Sequence, residues 1–277
     1  MIIDTHSHLN FDAFKDDFDE VMKRTLEQNI WIINVGTNYK TSQRSVEITE
    51  EYQSGVYSAI GFHPIYAASE FIKLKIDPNE GEFPLGNTFN KDQYKKLAQS
   101  KKVVAIGEVG LDYYYKPKTT AKLSYFKEKQ KQVFLEQINL AEELNLPLIL
   151  HCRMAHADLI EILRSKIKNK NAKLTGVVHC FTGTMEEMKE YIEMGFYIGL
   201  NGIIFKLPLD EIVKNCPLDK MLVETDCPYL TPIQEGQKRN EPIFIKHTIQ
   251  RIAELKKVRF EEVCQKTTQN GKNLFRI

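Results

Sequence analysis

The 277-residue sequence lacks a C-x-x-C pair among its five cysteines, a long apolar run, and a basic-then-apolar segment at its start. Because the cysteine count is odd and the chain is not small, we expect reduced thiols rather than a disulfide framework. The lack of a membrane-length apolar run and of a leader argues against a membrane partner and against export. These absences together predict a cytoplasmic protein.

The chain also lacks an excess of charge of either sign. Lys and Arg total 38, Asp and Glu total 37, and the formal net charge is +1. Any binding of a polyanion therefore needs a local patch or a bound metal. The hydrophobic content of 42% and charged content of 27% are typical of a globular protein. Barrels of this length often form one domain, and we expect a single domain over residues 1–277.

Short apolar runs alternate with longer amphipathic stretches along the chain. The runs are rich in Val and Ile, which is typical of buried parallel strands. They cover residues 1–4, 30–35, 56–60, 103–106, 148–150, 176–178, 196–200 and 221–223. Eight strands alternating with helices predict the α/β class and a (β/α)₈ TIM barrel. An open doubly wound sheet is the alternative, which the lack of a dinucleotide glycine fingerprint after the first strand disfavours.

Helical periodicity is clearest over residues 121–145, where apolar side chains are spaced for one face. This helix is expected to stop at Asn145, ahead of Pro147. The tail predicts two further helices, over residues 241–257 and 260–270.

One segment interrupts the alternation. Residues 71–90 contain two prolines and two glycines, Pro78, Pro84, Gly81 and Gly86, together with several Asn and acidic residues. We predict an extended surface loop between strands three and four. The loop could be a plain insertion, or it could serve as a lid or rim of a site.

Residues that bind metals well fall at the predicted carboxyl ends of five strands: His6, His8, Glu108, His151, His179 and Asp226. Active sites of TIM barrels form at this face. Residues two apart in an extended chain point to the same side, so His6 and His8 can hold one cation together. A single strand-end histidine is more often a core residue, and a lone aspartate can cap a helix. The shared position on five strands is what indicates a metal site.

The residue types favour two ions. Imidazole and carboxylate ligands suit Zn²⁺, Mn²⁺ and similar cations. Six protein ligands exceed what one catalytic ion with an open position takes, and they suit two ions about 3.5–4 Å apart. Glu108 is expected to bridge them, because its strand is central in the order. Asp226 is expected to bind metal and to orient or deprotonate the attacking water, which makes Glu108 and Asp226 the predicted catalytic residues.

Together, the segments that contain these residues closely resemble the TatD family of metal-dependent deoxyribonucleases, within the amidohydrolase-like barrels. The matching segments are residues 3–9 (IDTHSHL), 61–64 (GFHP), 105–114 (AIGEVGLDYY), 146–153 (LPLILHCR), 178–183 (VHCFTG), 223–230 (VETDCPYL) and 273–275 (NLF). They occur in order over nearly the whole chain and are highly specific as a set, although His-x-His alone is not.

The resemblance implies a barrel and a two-metal deoxyribonuclease, often a 3′–5′ exonuclease acting on single-stranded DNA ends with Mg²⁺ or Mn²⁺. It carries metal roles onto the same six residues and points to His63 as a site-lining residue that contacts phosphate. Two positions depart from the family pattern. Met154 stands where an acidic residue is frequent, and Glu235 stands where an arginine often precedes the Asn-x-Pro element. Arg239 is the cation that could compensate.

Two further groups are candidates for substrate contacts. Arg153 lies two residues beyond His151 and is interpreted as a phosphate clamp, with a rim salt bridge as the alternative. Tyr113, Tyr114 and Tyr115 follow Glu108, and bases of single strands often stack on such rings. Packing is the alternative, at least for the middle ring. We expect Tyr113 to join the substrate contacts.

The predicted ligands do not separate all hydrolytic reactions. An amidase, lactonase or phosphotriesterase on the same barrel is the first alternative, because carbonyl and phosphoryl centres are attacked alike. A non-enzymatic DNA-binding or scaffold protein that keeps its metals for stability is the second. The main prediction is a monomeric enzyme acting on DNA. Asp112 and Asn201 are further candidates for groups that support the ligands.

Overall fold

The chain folds around one sheet of eight parallel strands. The computed structural model describes residues 1–72, 77–81, 88–170 and 174–277, without the side chains of 169 and 170. The strands pair in sequence order, each with the next. They are β1 (Ile2–Ser7), β2 (Ile30–Val35), β3 (Val56–Ile60), β4 (Val103–Asp112), β5 (Leu148–Arg153), β6 (Gly176–Val178), β7 (Tyr197–Leu200) and β8 (Met221–Val223).

Backbone hydrogen bonds link the first strand to the end of the last. The amide of Asp226 donates to the carbonyl of His6 at 2.8 Å, and the amide of His8 donates to the carbonyl of Cys227 at 2.9 Å. The sheet therefore forms a nearly closed barrel, and the predicted TIM-barrel fold is confirmed.

Helices follow the strands and cover the barrel. They are α1 (Phe18–Glu27), α2 (Tyr39–Glu50), α3 (Pro64–Ala67), α4 (Lys91–Leu97), α5 (Thr120–Leu144), α6 (His156–Lys170), α7 (Met185–Glu193), α8 (Asp210–Asn215), α9 (Ile245–Lys256) and α10 (Phe260–Phe275). The predicted end of α5 is confirmed, because Asn145 adopts a left-handed φ of 52° and stops the helix. The two tail helices are confirmed as well, although α10 runs farther than predicted. No helix among the described residues is long and apolar enough to cross a bilayer.

Three strands extend beyond their apolar runs. The apolar runs predicted for β1, β4 and β5 end at residues 4, 106 and 150, and the backbone stays extended beyond each of them. Pairing continues between Gly110 and His151 and between Asp112 and Arg153. Gly110 has a φ of 142°, and a Cβ placed there would lie 2.1 Å from the carbonyl oxygen of His151. Only glycine lets the two strands meet this closely beside the predicted site.

A small apolar cluster lies beneath the polar strand ends. It contains Ile149 and Val177, which precede His151 and His179 by two positions. Since residues two apart in a strand share a face, these apolar side chains point to the same side as the histidines. The same cluster includes Leu274 and Phe275 from the end of α10. The polar cluster thus lies on a layer of packed apolar side chains.

The segment predicted as a surface loop, residues 71–90, is described in part. Positions 73–76 and 82–87 lie outside the described residues. Residues 77–81 form a turn, with the amide of Glu80 donating to the carbonyl of Asp77 at 3.1 Å. This turn contacts loops at the carboxyl ends of the strands, so the described part of the segment belongs to the rim of the barrel.

Candidate metal centre

The Glu108 carboxylate lies at the centre of the polar cluster, and its two oxygens face different histidines. Oε2 lies 3.5 Å from Nε2 of His6 and 3.8 Å from Nε2 of His8. Oε1 lies 2.7 Å from Nδ1 of His151 and 2.8 Å from Nε2 of His179. One carboxylate therefore separates the four imidazoles into two pairs.

Asp226 completes the cluster from the end of β8. Its Oδ1 lies 3.4 Å from Nε2 of His8 and 3.7 Å from Nε2 of His6. The side chain of Asp226 is 14% exposed, against 6% for Glu108, so Asp226 is the more open carboxylate. Its φ of 58° is uncommon for a residue other than glycine, and such conformations concentrate at functional sites.

All six residues predicted to bind metal come together in space. Three groups have candidate ligand atoms within 4.8 Å of one another: His6 with His179 and Asp226, His6 with His8 and Glu108, and His63 with Glu108 and His151. His63 was predicted to line the site rather than to bind metal, and it lies beside the others.

Hydrogen bonds fix the orientation of the imidazoles. Nδ1 of His8 lies 2.8 Å from the carbonyl oxygen of Val35 and must donate its proton to it, which leaves Nε2 facing the cluster. Nε2 of His151 lies 3.0 Å from Asp112, which holds this ring with Nδ1 turned towards Glu108. Such partners on the outer nitrogen typically orient metal-binding histidines. Asp112 thus orients His151, one of the six residues predicted to bind metal.

Glu224 supports His179, and the sequence analysis did not single it out. This buried carboxylate accepts hydrogen bonds from the Cys180 amide at 2.6 Å and from Nδ2 of Asn201 at 3.0 Å. The same oxygen lies 3.5 Å from Nδ1 of His179. The available signal was its position, because Glu224 directly follows the apolar run of β8.

Two buried glutamines of α5 hold the strand ends in place, and they too were missed. Gln130 accepts from the Asp112 amide at 2.8 Å and donates to the Asp112 carbonyl at 2.9 Å. Gln137 makes the same pair with Phe62, at 2.7 and 2.9 Å. Residues seven apart lie on one helix face, so one face of α5 fixes the backbone beside both Asp112 and His63.

The carboxylates of the cluster are held in the ionised state. Burial would raise the pKa of Glu108, but positive charge on His179 and the hydrogen bond from His151 lower it well below its usual range. The pKa of Asp226 is lowered despite burial, chiefly by its hydrogen bond with His8. Conversely, hydrogen bonds to Asp112 and Glu108 overcome burial and raise the pKa of His151 to about 9. The cluster therefore offers ionised carboxylates to a cation, and a protonated imidazole must release its proton before it binds one.

His63 is committed to a particular tautomer. Its Nδ1 accepts the amide of Ile65 at 3.1 Å and caps α3, so this nitrogen carries no proton. Nε2 then keeps the proton and lies 3.4 Å from Oε1 of Glu108. His63 therefore presents an N–H donor to the cluster, which suits contact with an anionic oxygen better than direct ligation of a metal.

Arg153 lies at the rim beside the cluster. β5 continues to Arg153, whose exposed guanidinium lies 3.6 Å from the centre of the Tyr114 ring and 5.9 Å from that of Tyr115. Within the described parts of the chain, Arg153 makes no ion pair with a carboxylate. Among the described residues, the rim salt bridge considered as the alternative is thus not formed, and the positive charge is available to an anion.

The three consecutive tyrosines differ from the expectation. Tyr113 is only 4% exposed, and its hydroxyl donates to Asp158 at 2.8 Å. Tyr114 and Tyr115 are 48% and 55% exposed, so the alternative interpretation, in which the middle ring is a packing residue, is wrong. The structure does not place Tyr113 where a base could stack, because its ring packs against Phe126 of α5. The exposed aromatic surface belongs to its two neighbours.

Glu235, one of the two departures from the family pattern, and Arg239, the cation expected to compensate for it, have different surroundings. Glu235 is paired with Lys238 at 3.0 Å and with His247 at 2.8 Å, so its charge is balanced locally. Arg239 binds Asp17 at 2.6 Å and Glu241 at 3.2 Å. This arginine is therefore engaged in ion pairs, and the structure does not support the expectation that it compensates for Glu235.

A TIM barrel with histidines and carboxylates converging at the carboxyl ends of its strands defines a class of metal-dependent hydrolases. The sequence profile of the family described as TatD related DNase matches residues 3–276. The chain belongs to the TatD family.

Relatives of this chain match over its full length. It is 41% identical to the "Uncharacterized metal-dependent hydrolase YabD" of Bacillus subtilis (strain 168), with both chains covered completely. It is 32% identical to the "3'-5' ssDNA/RNA exonuclease TatD" of Pantoea vagans (strain C9-1), again over all of both chains. Among solved structures it resembles YJJV, a TatD homologue from Escherichia coli K12, with a TM-score of 0.81, 26% identity and coverage of 100% and 98%.

Proposed function

We propose that this protein is a deoxyribonuclease that hydrolyses phosphodiester bonds as a 3′–5′ exonuclease on single-stranded ends. The observation that carries the proposal is the Glu108 carboxylate, whose two oxygens face two separate pairs of imidazoles. This is the arrangement expected of a carboxylate that bridges two ions. The name of the Pantoea relative supports a nucleic-acid substrate. We propose further that the chain acts as a monomer with one domain over residues 1–277.

The donor set fits two divalent cations, Zn²⁺, Mg²⁺ or Mn²⁺. The proposed ligands are His6, His8, Glu108, His151, His179 and Asp226. The four imidazoles turn a ring nitrogen towards the carboxylates of Glu108 and Asp226, and this set of imidazole nitrogens and ionised oxygens fits divalent cations. When bound, such ions supply polarisation of a phosphate oxygen and activation of water.

Three side chains of the protein have proposed roles towards the substrate. Asp226 is the more open of the two carboxylates and is ionised, so it can orient the attacking water and accept its proton. His63 offers its Nε2–H to a phosphate oxygen. Arg153 has a guanidinium without a carboxylate partner in the described structure, and it can clamp a second phosphate.

The test is a nuclease assay across metals. Labelled single-stranded DNA, duplex DNA, RNA, small phosphotriesters, lactones and amides are incubated with the metal-free protein plus Mg²⁺, Mn²⁺ or Zn²⁺. We expect metal-dependent shortening of single-stranded DNA from the 3′ end. Glu108→Ala and Asp226→Ala are each expected to reduce the rate by roughly 10²–10⁴-fold.

The matched control is Glu235→Ala, which removes a carboxylate that is already paired with Lys238 and His247. It should retain the wild-type rate. Activity retained by Glu108→Ala would overturn the proposed site. Turnover of lactones or amides without DNA would favour the alternative hydrolases, and DNA binding without turnover in all three metals would favour a binding protein.

A further inference from the structure

The two sides of the barrel mouth are built differently. On one side, residues 77–81 form a short segment, here called the clasp, that joins several loops. Oδ2 of Asp77 accepts the Tyr229 hydroxyl at 2.8 Å. The Glu80 carboxylate accepts hydrogen bonds from the hydroxyls of Tyr66 and Thr37. Two carboxylates three residues apart thus bind tyrosines from the loops after β3 and β8.

The clasp also binds the loops between these two. The carbonyl of Asn79 accepts the amide of Ala13, in the loop after β1, at 2.9 Å. Glu80 accepts Nδ2 of Asn38, after β2, at 2.9 Å. Gly81, with a φ of 97°, approaches Asp12 so closely that a Cβ would lie 2.4 Å from its carboxylate. In barrel order the clasp therefore spans the loops after β8, β1, β2 and β3, which are consecutive.

The tyrosines held by the clasp stand directly beside the candidate metal centre. The Tyr229 ring lies 6.3 Å from the His8 ring, and the Tyr66 ring lies 6.2 Å from the His63 ring, between centroids. The clasp therefore fixes a wall against the cluster on this side. Its two carboxylates also add negative charge there, which a phosphodiester backbone avoids.

The opposite side, formed by the loops after β4 and β5, carries a positive charge and exposed aromatic rings. Arg153 and the half-exposed rings of Tyr114 and Tyr115 lie there. A cation beside aromatic rings is the usual surface for a single strand. A strand that approaches over Arg153 reaches the cluster and then meets the acidic clasp.

We propose that the clasp makes the active site one-ended, so that the cleaved strand must terminate at the metal centre rather than run across it. The inference rests on the proposed nuclease function and adds to it a structural reason for attack at ends. The residues that determine this specificity are Asp77, Glu80, Tyr66 and Tyr229. The clasp would exclude from the metal centre a single strand that continues in both directions and has no end.

The experiment compares a linear single-stranded DNA with a circular one of the same sequence, in Mn²⁺. The wild type is expected to degrade the linear strand and to spare the circle. Asp77→Ala/Glu80→Ala removes both carboxylates of the clasp, and we expect its rate on the circle, relative to the linear strand, to rise about tenfold. Turnover of bis(p-nitrophenyl) phosphate, which has no strand that continues on either side of its phosphate, reports that the variant is folded.

The matched control is Glu47→Ala/Glu50→Ala. It also removes two carboxylates three residues apart, but these are exposed and lie at the end of α2, which returns the chain to the opposite face of the barrel. It should spare the circle. If the double alanine variant of the clasp loses its fold, Tyr66→Phe/Tyr229→Phe keeps both rings and removes the hydroxyls that hold the clasp.

The outcomes separate the two proposals. A wild type that cuts the circle, or clasp variants that spare it while they degrade linear DNA, would overturn the one-ended site and leave the nuclease proposal standing. A wild type that cuts neither DNA in any metal would overturn the nuclease function, and the one-ended site with it. The inference is supported if both clasp variants cleave the circle faster, relative to the linear strand, than the wild type does.

Discussion

The polar cluster at the centre of the barrel mouth, here called the floor, and the loops around it, here called the rim, are held together by different kinds of contact. On the floor, Glu108 and the four histidines lie at strand ends, and hydrogen bonds of the outer nitrogens to Val35 and Asp112 orient the rings of His8 and His151. On the rim, Arg153 and Tyr114 are exposed and lie in loops or at a strand end. The floor depends on a buried network, in which one missing group leaves others unpaired. Water can replace the contacts of exposed side chains such as Arg153 and Tyr114, so single changes on this side of the rim should have smaller effects.

The largest effect is expected from Glu224→Ala on the floor. Glu224 is buried and serves Asn201, the Cys180 amide and the His179 ring through one oxygen. Its loss leaves these groups unsatisfied, so we expect metal affinity to fall by roughly 10–100-fold and the free energy of unfolding to fall by about 3 kcal/mol. Isothermal titration with Zn²⁺ and urea denaturation measure the two effects.

Glu224→Gln is the control, because its amide oxygen can still accept a hydrogen bond and the shape is kept. It should retain most of the stability that the alanine variant loses. If Glu224→Ala binds Zn²⁺ as tightly as the wild type, the buried partners do not control the floor, and the contrast with the rim fails.

The second prediction concerns proton release. The pKa of His151 is raised to about 9, so its ring is protonated at neutral pH before a metal binds. A ligating imidazole must lose that proton. Metal affinity should therefore weaken as the pH falls below 9, by about tenfold per pH unit for each proton released. Titrations at pH 7 in two buffers with different ionisation enthalpies count the protons.

Asp112→Asn tests the cause of the raised pKa. Its hydrogen bond to His151 is the largest influence that raises the pKa against burial. The asparagine variant should release fewer protons at pH 7 and show a shallower pH dependence. Equal proton release in both proteins would mean that another group of the cluster dominates the linkage.

The sequence predicts the floor better than the rim for a physical reason. Buried parallel strands are apolar, so a polar residue directly after an apolar run marks a strand end, and strand ends meet at one face of a barrel. His6, Glu108 and His179 could be placed together at strand ends in this way from the sequence alone. The ends of β4 and β5 were placed too early, because their polar residues still pair as strands.

The rim depends on packing that the sequence pattern does not encode. Three consecutive tyrosines look alike in the sequence, and the side of Tyr113 is decided by Phe126 and Asp158, which belong to two different helices. Glu224 and Gln137 were missed because their partners are distant in sequence. Arg239 likewise depends on Asp17, which is 222 positions away.

A smaller effect is expected from Arg153→Ala on the rim. The guanidinium is exposed, so its loss should weaken binding of a single-stranded oligonucleotide by about tenfold, the value of one charge-assisted contact. If Arg153 neutralises one phosphate, the slope of log affinity against log salt should decrease by about 0.7. Fluorescence anisotropy with a metal-free protein over a salt series gives both numbers.

Arg164→Ala is the matched control, since Arg164 is an exposed arginine that is already paired with Glu190 on the outer layer. It should leave the salt slope unchanged. An identical slope for Arg153→Ala and the wild type would show that Arg153 contacts no phosphate.

The smallest effect is expected at Met154, which is 65% exposed and follows Arg153 directly. Met154→Glu restores the acidic residue frequent in the family and brings a carboxylate next to the guanidinium. Because exposed ion pairs contribute only about 0–1 kcal/mol and are screened by salt, oligonucleotide affinity should fall no more than about fivefold, and less at high ionic strength. The same anisotropy series, with Met154→Gln as the uncharged control, measures it. A loss as large as that of Glu224→Ala would place Met154 in a network like that of the floor, and the distinction between the two regions would have to be redrawn.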